Sequence, residues 1–279
     1  MDSLGSILLG LAAAVAFGIS DYTGGIASRR YATFTVLVMS QFFGAVMFVA
    51  LGILTNDPLP TAAEALALAF AGVIGAVGIN LFLYGLAISK MSMIAPASAA
   101  VTAAVPILFT LSTQGLPEAL TIAGFIVALI AVWLIAGGGS LSGLDWQALW
   151  IPLAVGGITG IVFTIISQAT TTSTFFALVV LRLTSMATNL LFATIRKQPY
   201  FVRKPDLPLV AVTGILNGGG VILFTLAVQG GRLDVTAVLV NMAPAVTVFM
   251  AALLLHERLN RLQGVGVALA LLAIVFISV

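Results

Sequence analysis

Apolar runs of about 20 residues fill this chain from end to end and leave only short polar connections between them. Hydrocarbon offers no hydrogen bonds to the backbone, so such segments must form helices or the strands of a closed barrel. Barrel strands would alternate apolar and polar residues over about ten positions, whereas these runs are uniformly apolar and about twice that long. The sequence therefore predicts an all-α polytopic membrane protein. The ten predicted transmembrane helices are 4–27, 34–55, 63–88, 92–114, 118–137, 147–168, 174–195, 207–229, 234–255 and 261–278.

The composition agrees with a membrane protein and excludes several chemistries. Charged residues make up 7% of the chain, against about 25% in soluble domains. The chain has no cysteine, which excludes disulfides and thiolate chemistry, and its single histidine, His256, argues against a histidine-based metal cluster. Gly137-Gly138-Gly139 lacks the Lys-Ser/Thr that follows in a phosphate-binding loop. We therefore expect no cofactor, no metal site and no nucleic-acid partner.

Basic residues are distributed unequally between the two sides of the predicted bundle. With ten spans, alternate connections share a side; one side then holds nine Lys and Arg residues, and the other holds only Arg232. Because positive charge marks the cytoplasmic side, we predict that 29–33 and 196–206 are cytoplasmic and that both termini are extracytoplasmic. The first apolar run is too long for a cleaved signal peptide and lacks a basic n-region, which favours a retained helix. The nine residues are Arg29, Arg30, Lys90, Arg196, Lys197, Arg203, Lys204, Arg258 and Arg261.

The two halves of the chain resemble each other. Each half holds five predicted spans, and an odd number inverts the second copy relative to the first. This pattern predicts two inverted-topology repeats, an architecture of secondary transporters in which the substrate site lies near the midplane. We assign 1–137 to the first five-helix repeat, 138–146 to a Gly/Ser-rich linker and 147–279 to the second repeat. The matched landmarks are Pro106 with Pro244, Glu118 with Glu257, and Gly124 with Gly264.

In each half, a Leu-Ala pair, a proline, a Glu-x-Leu-(Thr/Asn) motif and a glycine follow one another in order; the Leu-Ala pairs are Leu86-Ala87 and Leu226-Ala227. In this pattern the chain resembles the EamA family of the drug/metabolite transporter superfamily, and the resemblance covers the whole chain in two copies. The resemblance implies ten helices and the transport of small metabolites, often the export of amino acids or related compounds. It does not specify the substrate.

Arg182 lies within the seventh predicted span. Insertion scales make a central arginine unfavourable by about 2.5–3.5 kcal/mol, so its charge must be compensated. Two interpretations are open: a cavity that holds an acidic group of the substrate, since guanidinium matches carboxylate geometry, or a structural arginine that caps carbonyls or snorkels outward. The counterpart of Arg182 in the first half is Gln41, so the halves are chemically unequal.

Asp21 lies toward the cytoplasmic part of the first span. Burial would favour its protonated form and make it a candidate for proton coupling. Alternatively, it pairs with Arg182 and acts as a gate, or it is an interfacial residue that bonds its neighbours near Arg29 and Arg30.

Polar side chains within other spans are candidates for substrate binding together with Arg182. Tyr84 is one helical turn beyond Asn80 and on the same face. These side chains would line a cavity that is partly polar, although amides in membranes also simply join helices. The candidates are Asn80, Tyr84, Gln168, Asn217, Asn241 and Gln41.

Three prolines lie inside predicted spans, at Pro96, Pro106 and Pro244. Proline kinks a helix, and such kinks would serve gating or be static. Glu118 and Glu257 begin the fifth helix of each half, where a carboxylate stabilises the helix N-terminus; both are interpreted as structural.

These features favour a secondary active transporter that moves small metabolites by alternating access. We expect a monomer in the bacterial inner (plasma) membrane that contacts a small-molecule substrate and the lipid bilayer, with protons as a candidate coupling ion. The alternative is a membrane protein without transport, such as a membrane enzyme or an assembly scaffold. An enzyme is disfavoured, because almost no nucleophile, base or metal cluster is available in the bundle.

Overall fold

Eleven α-helices and one short 3-10 helix make up the described structure. The computed structural model describes residues 3–88, 91–135, 146–254 and 261–278. Residues 138–145 of the predicted linker, His256 and Glu257 lie outside these ranges, as do the side chains of Tyr84 and Pro96. The helices are α1 Ser3–Ser28, α2 Thr33–Leu54, α3 Ala62–Ile88, α4 Met91–Gln114, α5 Ala119–Ile135, α6 Trp146–Ala169, α7 Phe175–Ile195, a 3-10 helix Lys204–Asp206, α8 Leu207–Gly230, α9 Leu233–Val240, α10 Ala243–Leu254 and α11 Arg261–Ser278.

The prediction of one continuous helix over 234–255 is wrong. The segment is divided at Asn241–Met242 into α9 and α10. The backbone N–H of Asn241 donates to Ala237 O and that of Met242 donates to Leu239 O, which closes α9. Pro244 follows in the first turn of α10, where a backbone N–H has no partner within the helix and its absence costs nothing. In a continuous helix over this segment, the same proline would remove a backbone hydrogen bond.

Five helical segments are long and apolar enough to cross a membrane. Four shorter apolar helices occur in the described residues, so the count of ten spans stays a prediction. The five are Leu4–Ser28, Thr33–Leu54, Ala62–Phe82, Phe175–Ile195 and Lys204–Gly230.

The two halves, α1–α5 and α6–α11, interlock. The most extensive packing in the described chain joins a helix of one half to a helix of the other. The pattern is the same when each helix is replaced by the helix in the same place in the other half, α1 by α6, α2 by α7 and α3 by α8. The contact of α1 with α8 then becomes that of α6 with α3, and the contact of α2 with α8 becomes that of α7 with α3. The pairs α2–α7 and α5–α11 map onto themselves.

Glycine contacts show how many residues separate equivalent positions of the two halves, a spacing that we call the register. A Cβ at Gly18 of α1 would lie 2.5 Å from Val246 Cβ of α10, and a Cβ at Gly160 of α6 would lie 2.7 Å from Val105 Cβ of α4. Equivalent residues are thus 141 or 142 positions apart. A spacing of 141 residues pairs Arg182 with Gln41, and a spacing of 142 pairs it with Ser40.

The same register differs from the sequence pairing at the prolines. The residue 141 positions beyond Pro106 is Thr247, not Pro244. The difference of three residues is about one helical turn, and both Pro244 and Thr247 lie in α10, just after the break.

Equivalent helices α2 and α7 run in opposite directions. Phe176, at the start of α7, packs against Gly52, near the end of α2. At the other ends of the two helices, the rings of Phe34 and Phe192 lie 6.1 Å apart. We call the side with the connections 29–32 and 196–206 the basic face, and the side with 55–61 and 170–174 the opposite face.

Candidate functional site

Arg182 is buried between three helices. It projects from α7 with only 9% of its surface exposed. Its Nη2 donates to Asn217 Oδ1 of α8 at 2.6 Å, and its guanidinium carbon lies 5.5 Å from the centre of the Phe48 ring of α2. An amide and an aromatic face thus surround the cation.

Glycines make room for this side chain. At Gly44 of α2, a Cβ would lie 3.5 Å from Arg182 Nε and 3.3 Å from Gly214 O of α8. At Gly214, a Cβ would lie 2.0 Å from Ser40 O. The close approach of α2 and α8 therefore allows the guanidinium of Arg182 to reach Asn217 across their contact.

Two polar atoms of this region lack partners. Arg182 Nε and Gln41 Oε1 are buried and form no hydrogen bond with any described residue. Gln41 is 5% exposed and lies on α2, one turn before Gly44. A buried unmet donor and acceptor are costly, and a ligand that carries both an acceptor and a donor could satisfy them.

Asp21 does not compensate the charge of Arg182. Both residues are described, and no ion pair joins them. Ser20, the neighbour of Asp21, donates from Oγ to Thr213 O of α8 at 3.0 Å, one turn from Asn217. Asp21 itself is exposed on α1.

Three other predicted residues with described side chains, Asn80, Asn241 and Gln168, form no hydrogen bond with Arg182. Asn80 Nδ2 donates to Asn189 Oδ1 at 2.7 Å, and Asn189 is fully buried, so this pair joins α3 to α7. Asn241 Nδ2 donates to Ala237 O of its own helix. Gln168 is exposed near the end of α6. Of the predicted residues, Asn217 bonds to Arg182, and Gln41 lies on α2 one turn before Gly44, which borders the Arg182 side chain.

The prolines have different positions. Pro106 and the backbone of Pro96 both lie within α4, which is helical from Met91 to Gln114. Pro244 stands just after the break between α9 and α10.

Sequence reasoning missed the carboxylate that caps α7. Asp57 Oδ2 accepts hydrogen bonds from Ser173 Oγ at 2.7 Å and from the backbone N–H of Phe175 and Phe176 at 2.9 and 3.0 Å, while Oδ1 accepts from Thr174 N at 3.2 Å. Burial acts to raise the pKa of Asp57, but these hydrogen bonds outweigh it and lower the pKa. Asn56-Asp57-Pro58 has the composition of a turn, but the sequence does not show that Asp57 caps α7, because that helix begins more than 100 residues away.

A second carboxylate joins the same connections. Glu64 Oε1 accepts from Thr171 Oγ1 and Thr172 N at 2.9 and 2.8 Å, and its Oε2 accepts from Thr61 N and Oγ1 at 2.8 and 2.9 Å. Asp57 and Glu64 thus tie the α2–α3 connection to the α6–α7 connection at the opposite face.

The basic face has the equivalent junction. Asp206, before α8, accepts from Arg30 Nη1 at 2.7 Å and from the Tyr31 hydroxyl at 2.6 Å, and Thr35 Oγ1 donates to Pro199 O. The α1–α2 and α7–α8 connections are therefore joined here, as the exchange of halves requires.

A further ion pair missed in the sequence lies at the opposite face. Asp234 is fully buried at the start of α9 and accepts from Arg232 Nε and Nη2 at 3.1 and 2.9 Å. Arg232 Nη2 also donates to Gly115 O at 3.3 Å. In the described part of the chain, no cluster of three His, Cys, Asp or Glu residues could hold a metal ion.

Apolar helices in two interlocked halves, with a buried cation between them, define a multi-pass integral membrane protein. A family model described as the EamA-like transporter family matches residues 4–137 and 146–279. The chain belongs to this family, whose members are generally transporters of the drug/metabolite transporter superfamily.

A crystal structure of a protein is similar to this chain in fold. The two superpose with a TM-score of 0.76 at 14% sequence identity, over 97% of this chain and 95% of the other. No curated protein matches the sequence.

Proposed function

We propose that this protein is a secondary active transporter that exports small metabolites, amino acids or related compounds, by alternating access. The observation that carries the proposal is Arg182: its cation is nine-tenths buried where the two halves meet, and no carboxylate among the described residues pairs with it. A buried charge paired only with an amide is costly. An acidic group on the substrate would supply the missing partner, in bidentate geometry.

The proposed binding residues are Arg182, Asn217 and Gln41. Asn217 orients the guanidinium through the 2.6 Å bond, and Gln41 Oε1 could accept a hydrogen bond from a donor on the substrate. The proposed repeats are 1–137 and 147–279, with inverted topology, joined by a linker at 138–146. The antiparallel arrangement of α2 and α7 supports the inversion.

The basic face is proposed to be cytoplasmic in the bacterial inner membrane, with both termini outside. The positive charge of the 29–33 and 196–206 connections supports this orientation. Export rests on the resemblance to family members, and a monomer is the proposed state. Reporter fusions to the C-terminus test the orientation, and a cytoplasmic C-terminus would contradict it.

Protons are the proposed coupling ion, with Asp21 as the site that loads and releases them. No ion pair joins Asp21 to Arg182, so the proposed proton site is separate from the proposed substrate-binding cation. Asp21→Asn should lose accumulation driven by a pH gradient and keep passive exchange of substrate. Unchanged transport in both assays would remove Asp21 from the mechanism.

The binding proposal is tested by Asn217→Asp in proteoliposomes. A carboxylate at this position would pair with Arg182 internally and should abolish uptake of acidic-group substrates, while the protein stays folded. Labelled amino acids and related metabolites are screened with the wild type first, with and without a pH gradient. Arg29→Gln, which removes an exposed cation outside the site, is the matched control and should transport normally.

Arg182→Gln and Arg182→Lys complete the series. Gln removes the charge and Lys keeps it without the bidentate fork, so we expect no transport with Gln and weak transport with Lys. Full transport by folded Asn217→Asp and Arg182→Gln proteins would refute the role of Arg182. No flux of any substrate by the wild type would instead favour a membrane enzyme or scaffold.

A further inference from the structure

The connection between α7 and α8 carries a dense group of cations around two aromatic residues. Its sequence from 196 to 206 is Arg-Lys-Gln-Pro-Tyr-Phe-Val-Arg-Lys-Pro-Asp. Two exposed cations precede the aromatic pair and two follow it; the four are Arg196, Lys197, Arg203 and Lys204. None of them forms an ion pair with a described residue. Their charge is therefore available to a partner outside the chain.

This connection is fixed to the bundle and holds one aromatic ring outward. Val202 is buried in an apolar cluster with residues of α1, α2 and α8, and the backbone N–H of Arg203 donates to the Tyr31 hydroxyl at 3.2 Å. The neighbouring Phe201 is 74% exposed, and Tyr200 is 38% exposed. The packing of Val202 thus fixes where Phe201 leaves the bundle.

The turn that ends α7 has an unfavourable backbone conformation for a lysine. The N–H of Lys197 donates to Thr194 O at 3.1 Å and that of Gln198 donates to Ala193 O at 2.9 Å, which are the hydrogen bonds of a Schellman motif. Lys197 has a φ of 52°, where glycine is favoured because a Cβ crowds the following carbonyl. A residue that breaks such a local preference is commonly retained for function.

The same turn ends α2 at the opposite face, with Asn56 in the place of Lys197. The N–H of Asn56 donates to Ile53 O at 3.3 Å and that of Asp57 donates to Gly52 O at 2.9 Å, so these hydrogen bonds lie 141 positions before those of α7. Asn56 has a φ of 51°, which asparagine tolerates. Equivalent turns therefore carry a neutral residue at the opposite face and a cation at the basic face.

The connection lies at a membrane surface, because α7 and α8 are both long and apolar enough to cross a membrane. Aromatic side chains at that depth lie among the lipid headgroups, and clustered Lys and Arg residues next to a span attract anionic lipids. An exposed ring between cations at the end of a span satisfies both conditions. A soluble acidic partner would use the cations but would leave the ring of Phe201 without an apolar environment.

We propose that residues 196–204 bind an anionic phospholipid in the leaflet at the basic face. The ring of Phe201 enters the boundary between headgroups and acyl chains, and Lys197, Arg203 and their two cationic neighbours contact the lipid phosphate. Arginine matches phosphate in bidentate geometry, and lysine acts as a point charge. Anionic lipids are preferred over zwitterionic ones because their phosphate charge is not cancelled within the headgroup. The inference is independent of transport and requires only that the chain spans a membrane.

Fluorescence quenching by brominated lipids tests the site. Phe201→Trp is introduced after the three native tryptophans are replaced by phenylalanine, and the protein is reconstituted in phosphatidylcholine vesicles. The vesicles contain either dibrominated phosphatidylglycerol or dibrominated phosphatidylcholine at equal mole fractions. We expect both lipids to quench the introduced indole, and the phosphatidylglycerol to do so at a lower mole fraction.

Lys197→Gly separates the charge from the turn, because glycine suits the backbone and removes the cation. In this variant, the association of phosphatidylglycerol relative to phosphatidylcholine should fall about fivefold, which corresponds to about 1 kcal/mol for one cation near an anionic surface. Lys197→Arg should keep the preference. The matched control is Asn56→Gly, which makes the equivalent backbone change at the opposite face and should leave the preference unchanged.

Two further measurements complete the test. Both glycine variants should equal or exceed their parent in thermal unfolding midpoint, since glycine is favoured at a positive φ. Phosphatidylglycerol that stays bound to the chain with its native tryptophans during detergent purification is counted by mass spectrometry. Lys197→Gly should retain less of this lipid than Asn56→Gly does.

The outcomes are independent of solute flux, so they do not depend on the transport proposal. Equal quenching by the two brominated lipids, or an unchanged preference in Lys197→Gly, would overturn the lipid site. The absence of quenching by either lipid in the folded protein would place the ring in water; that result also overturns the site and favours a soluble acidic partner.

Discussion

Gly214→Ala should destabilise the contact between α2 and α8 that holds Arg182. A Cβ at this position would lie 2.0 Å from Ser40 O, and it would also lie within 3.0 Å of Ser40 Cα. Ordinary contact begins at 3.4 Å. The clashing atoms belong to the backbone of α2, so no rotamer change relieves them, and the two helices must separate or tilt.

The matched control is Gly219→Ala in the same helix. A Cβ there meets no atom within 4 Å. Both substitutions gain the same helix propensity, about 0.8–1 kcal/mol, so their difference isolates the clash. Overpacking costs about 1–3 kcal/mol, and the backbone clash places Gly214→Ala near the upper end.

Reversible unfolding in mixed micelles, followed by helical circular dichroism, measures the difference. We expect Gly219→Ala to equal or exceed the wild type in free energy of unfolding and Gly214→Ala to fall below Gly219→Ala by about 1–3 kcal/mol. Equal stability of the two variants would refute the close approach of α2 and α8 and the placement of Arg182 that depends on it.

Three further predictions use the same unfolding assay. Asp57→Ala removes the α7 cap and should cost about 1–2 kcal/mol; a cost below about 0.3 kcal/mol would contradict the capping role. The folded-state pKa of Asp57 is below its ordinary 3.8, so the stabilisation by its carboxylate should be complete at neutral pH and be lost as pH falls through the lowered pKa. The difference in free energy of unfolding between wild type and Asp57→Ala should therefore shrink in acid. A difference that grows in acid would refute this linkage. A double-mutant cycle of Asn80→Ala and Asn189→Ala should give a coupling of about 0.6–1.7 kcal/mol, and strictly additive effects would show that the 2.7 Å bond contributes nothing.

Helix positions could be predicted from the sequence because they depend on local properties. A run of about 20 apolar residues must satisfy its own backbone in lipid, and the bounds of the helices other than α9 and α10 follow the predicted spans closely. The repeat was also visible, since two copies of a motif can be compared without knowing their contacts, and the family model matches both. The break at Asn241–Met242 escaped prediction because Pro244 is compatible with a kinked as well as a divided helix.

Contacts between helices could be decided only by the tertiary structure. Nothing in the sequence says that Asn80 pairs with Asn189, that Asp57 caps α7, or that Arg182 rests between Asn217 and Phe48. Each of these depends on which apolar faces meet, and in a bilayer apolar faces differ little from lipid. The helices are therefore specified locally by hydrophobicity, whereas their neighbours are selected by small residues and a few polar atoms at positions far apart in the chain.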